Sequence, residues 1–176
     1  MQHGGREVSG SRSETLAVEL RARVADSFVQ NRRRIAVLSA TGIGCMTAIA
    51  LYQIGAVRQV PDLPFPKMNS ERIIGSAAAY AHLDVGDGCL GVLSYSTTLL
   101  LAGAGGRGRS HDRPWLPIAL AVKTAVDALV ALKLTFDELT KYRVFCTPCV
   151  VAASAAIAAL PLAIPEAKAA CMRRTR

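Results

Sequence analysis

Long apolar runs without charged residues dominate the chain and limit what it can fold into. Residues 35–57 are 23 consecutive positions without Asp, Glu, Lys or Arg. As an α-helix rising about 1.5 Å per residue, this run can cross a hydrocarbon layer of about 30 Å. Three further apolar runs follow, at residues 88–106, 115–132, which is interrupted by Lys123 and Asp127, and 144–165. The sequence therefore predicts an all-α fold, a four-helix transmembrane bundle, rather than a soluble domain.

The polar segment before the first run, residues 1–34, predicts a helix of a different kind. Ser11 and Glu14 have the spacing of a capping box. Apolar residues then recur at every fourth position, namely Leu16, Leu20, Val24 and Phe28. This pattern predicts an amphipathic helix that lies on the membrane surface or, alternatively, is solvated. The polar stretch is too long for a cleavable signal, so we expect the first span to be retained as an anchor.

The longest link between the runs, residues 58–84, contains several prolines and is expected to hold a short helix. Ser70 can cap a helix over residues 71–82, which is apolar and rich in alanine on one side. That helix is too short to cross the membrane, so we expect it to lie along the membrane face. The four runs and their links define a transmembrane domain over residues 35–166, followed by a basic tail over residues 167–176.

Lys and Arg are distributed unevenly around the apolar runs. The formal net charge is +8, an excess that in a soluble protein would suggest nucleic-acid binding. Here the basic residues cluster at the ends of apolar runs, so we expect a lipid membrane and no nucleic acid as partner. Counted from Arg21 onward, twelve lie in segments on the N-terminal side of the membrane and six in the other links. The bias predicts a multi-pass protein of the cell membrane with both termini cytoplasmic.

The sequence Cys146-Thr147-Pro148-Cys149, where the fourth run begins, is the sharpest chemical signal. Thiols at positions i and i+3 share a helical face and can form a disulfide, and a helix N-terminus favours the nucleophilic thiolate. Pro148 suits a first helical turn, where its missing amide hydrogen is not needed. Under the predicted topology the pair lies on the outer, oxidising side. These features favour a redox-active dithiol over a zinc site, which needs more ligands, and over inert packing cysteines.

Four spans, a long first outer link and a CxxC motif at the start of the fourth helix together resemble the vitamin K epoxide reductase family. Residues 145–149 and 160–166 look like the corresponding segments of its bacterial members. The resemblance covers about residues 35–166. It implies a quinone, ubiquinone or menaquinone, held inside the bundle beside Cys149. It further implies that Cys146 exchanges disulfides with a thioredoxin-like protein or with other protein thiols on the outer side.

The first outer link departs from the family pattern. Most members carry a second cysteine pair there, which passes electrons from a thioredoxin-like partner, whereas residues 58–84 contain no cysteine. Three alternatives follow: the partner acts directly on Cys146 and Cys149, Cys89 substitutes for the missing pair, or the usual activity is lost. Cys89 begins the second run on the same side as the CxxC motif, so it is a candidate catalytic residue as well as a candidate packing residue.

Polar residues inside the predicted spans are further candidates. Lys123 and Asp127 lie four positions apart on the third run and face the same way. Charges within a span usually point inward and pair, so these two residues form an ion pair that fixes helix packing, or else a proton route or an anchor for a quinone oxygen. Ser94 and Tyr95 on the second run can donate hydrogen bonds to a quinone, although a tyrosine in a span is more often a packing residue.

The function that these residues favour is a quinone-linked membrane thiol–disulfide oxidoreductase. A non-catalytic four-helix membrane subunit or scaffold, with incidental cysteines, is the main alternative, and the absent second cysteine pair is its best support. A small transporter would use Lys123 and Asp127 as coupling charges, but neither an internal repeat nor a broken helix supports it. Cys45 is expected to pack in the core, and Cys171 lies in the basic tail.

Overall fold

The computed structural model describes residues 5–60, 62, 64, 68–75 and 86–174, and this part of the chain is almost entirely helical. Its helices are α1 (Gly5–Gln53), α2 (Ser70–Ile74), α3 (Asp87–Gly103), α4 (Arg109–Asp112), α5 (Trp115–Asp137) and α6 (Thr147–Arg174). A π-helical turn, Glu138–Tyr142, continues α5, and one isolated parallel bridge joins Met68 to Phe145. The predicted all-α fold class is confirmed.

Three helices in the described ranges, α1, α5 and α6, are long and apolar enough to cross a membrane by length and composition. The fourth member of the bundle, α3, is also apolar but has only 17 residues, which corresponds to about 26 Å. Helix α6 packs against α1 and α5, while α3 packs against α1 and also contacts α5. The result is a helical membrane bundle in which α3 is the short member.

Helix α1 continues without a break from Gly5 to Gln53, so the predicted amphipathic helix and the first apolar run form one helix instead of two. The residues between them, 29–34, include neither proline nor glycine, and nothing there stops the helix. Helix α6 also extends beyond its predicted end, with Pro161 and Pro165 inside it. The predicted domain borders after residues 34 and 166 therefore fall within continuous helices.

Small residues allow the long helices to approach closely. One face of α6 is buried and, apart from Glu166, consists mainly of alanines, namely Ala152, Ala155, Ala156, Ala159, Ala163 and Ala170. On α1, a Cβ atom at Gly42 would lie 2.5 Å from the ring of Tyr95. On α3, a Cβ atom at Gly88 would lie 2.5 Å from the backbone nitrogen of Ala50. The glycines thus leave room for the Tyr95 ring at Gly42 and for the α1 backbone at Gly88, and small residues of this kind are common between membrane helices.

At the end of the bundle where α3 ends and α5 begins, Arg109 and Glu166 form a buried ion pair. The Nε and Nη2 atoms of Arg109 donate hydrogen bonds of 2.9 and 2.8 Å to the two carboxylate oxygens. Its Nη1 atom donates to the backbone carbonyls of Leu101 and Ala104 at 2.6 and 2.8 Å. Arg32 on α1 donates to two carbonyls of the adjacent loop. Arg109, which by sequence is one of several basic loop residues, thus joins α3 and the loop to α6.

The long link is described at residues 62, 64 and 68–75, and it lies against the other end of the bundle. Asn69 is the N-cap of α2, and its side chain accepts a hydrogen bond of 3.0 Å from the amide of Arg72. Ser70, expected to be the cap, is instead the first helical residue and is fully buried. Residues 76–82 of the predicted short helix lie outside the described residues.

Candidate active site: a disulfide beneath the long link

Cys146 and Cys149 form a disulfide at the start of α6, with their Cα atoms 5.1 Å apart. The helix begins at Thr147, and the amide of Val150 donates to the carbonyl of Cys146 at 2.9 Å. The amide of Cys149 also points to the Sγ atom of Cys146, at 3.3 Å. The i, i+3 spacing thus brings both sulfurs to a helix N-terminus, where amide groups stabilise a thiolate once the disulfide is reduced.

The two cysteines differ in exposure. Cys146 has no exposed surface, whereas Cys149 is half-buried. Residues from α1, the long link and α2 surround the pair, namely Met46, Ile49, Tyr52, Val60, Ile73 and Ile74. The disulfide is therefore packed among apolar side chains, and Cys149 is the more exposed residue of the two.

A hydrogen-bonded cluster of Asp62, Ser70 and Thr147 ties the long link to the residue that follows Cys146. The carboxylate of Asp62 accepts hydrogen bonds from the amide of Ser70 at 2.9 Å, from the Ser70 hydroxyl, and from Thr147 Oγ1 at 2.9 Å. The Oγ atom of Ser70 accepts a bond of 3.0 Å from the amide of Thr147. The cluster uses one of the free amides of the first turn of α6, and it holds α2 and its preceding segment over Cys146.

The charge of Asp62 is stabilised by this cluster. Partial burial raises the pKa of the Asp62 carboxyl group, but the hydrogen bonds from Ser70 and Thr147 lower it by more, so the pKa lies below its ordinary value of 3.8. Asp62 is therefore a carboxylate at neutral pH. Its negative charge lies at the amino end of α6, where the helix dipole is favourable for an anion.

Glu138 is a second acidic residue at the pair. It is only 7% exposed, and its carboxyl group interacts with the backbone amide of Cys146. Glu138 lies in the π-helical turn after α5, which ends at Arg143 in the left-handed conformation with φ of 55°. This turn reverses the chain into α6 and so brings the carboxyl group next to Cys146.

Lys123 and Asp127 form an ion pair, and Ser94 belongs to the same network. The Nζ atom of Lys123 lies 2.6 and 2.7 Å from the two carboxylate oxygens of Asp127 and donates to Ser94 Oγ at 2.8 Å. The hydroxyls of Ser94 and Thr98 donate to the same carboxylate at 2.8 and 2.9 Å. The network joins α5 to α3, which favours the role in helix packing. A role toward a quinone stays a prediction.

Tyr95 and Cys89, the other candidates on α3, have different surroundings. The hydroxyl of Tyr95 donates a hydrogen bond of 2.6 Å to the carbonyl of Ala152, three residues beyond Cys149. Tyr95 thus joins α3 to the first part of α6. Cys89 is a free, exposed thiol in the first turn of α3. The part predicted for Cys89 in catalysis stays a prediction.

Sequence reasoning did not find Asp62, Ser70 and Glu138 as site residues. Asp62 and Ser70 come from a proline-rich link, and Glu138 comes from the end of the preceding helix, so no motif spacing connects them to the cysteines. Their shared location arises only when the link and the α5–α6 turn fold onto Cys146. A signal for Glu138 was its position beside an apolar run, where an acidic residue usually has a specific partner.

Comparison with known proteins agrees with the architecture. The family model described as Vitamin K epoxide reductase family matches residues 33–164. The matched region covers most of the chain and includes both Cys146 and Cys149. Among the curated proteins, none matches the chain.

Proposed function

This chain belongs to the vitamin K epoxide reductase family, and on that premise we propose that it is a quinone-linked thiol–disulfide oxidoreductase of the membrane. Family membership makes it a membrane oxidoreductase. The observation that carries the finer proposal is the disulfide between Cys146 and Cys149 at the N-terminus of α6. A disulfide of this spacing, at the start of a helix, can be opened and closed without moving the backbone far.

In the proposed reaction the pair takes electrons from a protein dithiol. A partner thiolate bonds to the sulfur of Cys146, the Cys146–Cys149 bond breaks, and its electron pair leaves with the sulfur of Cys149. A second partner thiolate then bonds to the first partner sulfur and displaces Cys146 as a thiolate. The partner becomes a disulfide and the cysteine pair becomes a dithiol. The helix N-terminus stabilises both sulfur anions.

A bound quinone, either ubiquinone or menaquinone, would act as the two-electron acceptor when the dithiol is oxidised back to the disulfide. The surroundings of Cys149 suit such a ring, because this residue is half-buried and packs against an apolar cluster that includes Ile49, Val60 and Ile74. Two polar groups, Tyr95 and the Lys123 network, are candidates to hold its oxygens. Tyr95 is the one with a contact to the first part of α6, where its hydroxyl donates to the carbonyl of Ala152, and it would have to release that carbonyl to donate to a quinone oxygen.

The proposed topology is multi-pass, with both termini in the cytoplasm of the cell and the disulfide on the outer face of the membrane. The excess of Lys and Arg at the terminal end of the bundle supports this orientation. It places Cys146 and Cys149 in an oxidising compartment, where a thioredoxin-like protein or other protein thiols are available as partners.

Substitution of either cysteine tests the proposal. Cys146→Ala and Cys149→Ala should each abolish quinone-dependent oxidation of a protein dithiol by the purified chain. Cys171→Ala is the matched control, because Cys171 is an exposed thiol near the other end of α6, and it should retain the natural rate. Full activity in either of the first two variants contradicts the proposal and leaves a membrane subunit without this chemistry.

A further inference from the structure

The complete burial of Cys146 conflicts with a direct attack on its sulfur by another protein. An attacking thiolate must approach the sulfur along the disulfide bond, yet Cys146 has no exposed surface. Cys146 packs in one buried cluster with Ile49 of α1 and with two residues of the long link, Val60 near its start and Ile74 in α2. For Cys146 to react with a partner, the link must therefore move away.

The Asp62–Ser70–Thr147 cluster is what holds the link in place by polar contacts. Two of its bonds, from the Thr147 amide to Ser70 and from the Thr147 hydroxyl to Asp62, connect residues that are 77 and 85 positions apart in the chain, so these two resist separation of the link from α6. Ser70 is fully buried at the centre, where it donates to Asp62 and accepts from the amide of Thr147. The amide of Asn69 adds a backbone bond of 3.0 Å to the carbonyl of Phe145.

The cluster can open without unfolding the bundle. Its bonds lie at the first turn of α6 and at a link outside the long helices, whereas the packing of α6 on α1 and α5 uses the alanine face farther along. Asp62 is exposed to solvent, so water can replace its hydrogen bonds from Ser70 and Thr147 when the link lifts. Water cannot do so at the buried Arg109–Glu166 pair.

We propose that Asp62, Ser70 and Thr147 form a latch that controls access of protein thiols to Cys146. The inference rests on the proposed function and deepens it, since it assigns the positioning residues of the same disulfide. With the latch closed, Cys146 has no exposed surface and only Cys149 of the pair is partly exposed. With the latch open, a partner thiolate reaches Cys146, bonds to its sulfur and expels Cys149 as a thiolate. In a chain without cysteine in residues 58–84, the latch is the link's contribution to the exchange.

The test is the rate at which the disulfide of the purified full-length chain is reduced, followed by trapping of the new thiols. Reduced thioredoxin serves as the bulky reductant and dithiothreitol as the small one, and no quinone is present. Thr147→Val removes one bond to the Asp62 carboxylate and should speed reduction by thioredoxin about tenfold. Ser70→Ala removes two bonds of the cluster and should speed it further. Dithiothreitol, being small, should gain less from either change.

The control is Thr140→Val, which removes an exposed hydroxyl that bonds only locally, to the carbonyl of Phe136. Its rate should equal that of the natural chain. Rates in Thr147→Val and Ser70→Ala that match the control, or fall below it, would overturn the latch. So would equal acceleration with both reductants, because steric control of access predicts a larger gain for the protein. Because quinone is absent, this outcome is independent of whether quinone oxidises the pair.

Discussion

Replacement of Arg109 by leucine should destabilise the bundle strongly, because it leaves a buried carboxylate without its partner. The side chains of Arg109 and Glu166 are 0% and 5% exposed, and the closest nitrogen and oxygen are 2.8 Å apart. Removal of one member of a buried ion pair typically costs about 3–5 kcal/mol. For a chain of this size, 1 kcal/mol shifts Tm by about 2–4 °C, so Tm should fall by about 6–20 °C.

Thermal unfolding in one detergent, followed by far-ultraviolet circular dichroism, measures this effect. Arg113→Leu is the control, because Arg113 is an exposed basic residue of the same loop. Its free energy of unfolding should change by no more than about 0.5 kcal/mol, so its Tm should stay close to that of the natural chain. The double variant Arg109→Leu, Glu166→Leu should regain most of the loss, since no charge is then buried alone. A Tm for Arg109→Leu no lower than that of the control, or no recovery in the double variant, would refute the reasoning.

Three further predictions concern the other contacts, each measured as Tm in detergent. Gly42→Ala should cost about 1–3 kcal/mol because its Cβ meets a tyrosine ring at 2.5 Å, while Gly44→Ala, with nothing within 4 Å, should be neutral or stabilising; equal effects would contradict this. Lys123→Met should cost about 2 kcal/mol by leaving Asp127 unpaired, and adding Asp127→Asn should reverse the loss; a further loss would exclude the pairing. Asp62 has a folded pKa below its unfolded value, so its carboxylate stabilises the fold above the unfolded pKa and this contribution is lost as the pH falls through the folded pKa. Asp62→Asn should thus lower Tm at pH 7. The difference in Tm from the natural chain should disappear below pH 3.8; a difference in Tm that does not change with pH would show that the Asp62 charge does not contribute to stability.

The spans could be predicted from the sequence because the lipid constrains them directly. A run of uncharged apolar residues must satisfy its backbone within the segment, which only a helix does here. The Lys123–Asp127 pair was predictable for a related reason, since two charges one helical turn apart within a span have few favourable arrangements besides contact. The disulfide followed from the i, i+3 spacing of its cysteines.

Contacts between distant segments could not be predicted in the same way. The partnership of Arg109 with Glu166 joins a loop to a helix 57 positions away, and nothing in either local sequence specifies it. The buried position of Ser70 in the first turn of α2, instead of at the helix cap, depends on Asp62 and Thr147. The predicted border near residue 34 was misplaced because composition changes there while helix propensity does not, so α1 continues through it. The end of α6 was misplaced because the helix continues past Pro161 and Pro165, residues that often end a helix.

The most direct test of the central claim is the response of the reduced cysteine pair to quinone. The purified chain is reduced, freed of reductant and mixed with ubiquinone or menaquinone in detergent, and the free thiols are trapped over time and assigned to residues by mass. The proposed function predicts that Cys146 and Cys149 together lose their free thiols as quinol forms, one quinol for each disulfide, while Cys171 stays free. If both thiols remain free with quinone in excess, the pair does not pass electrons to a quinone and the assignment is wrong.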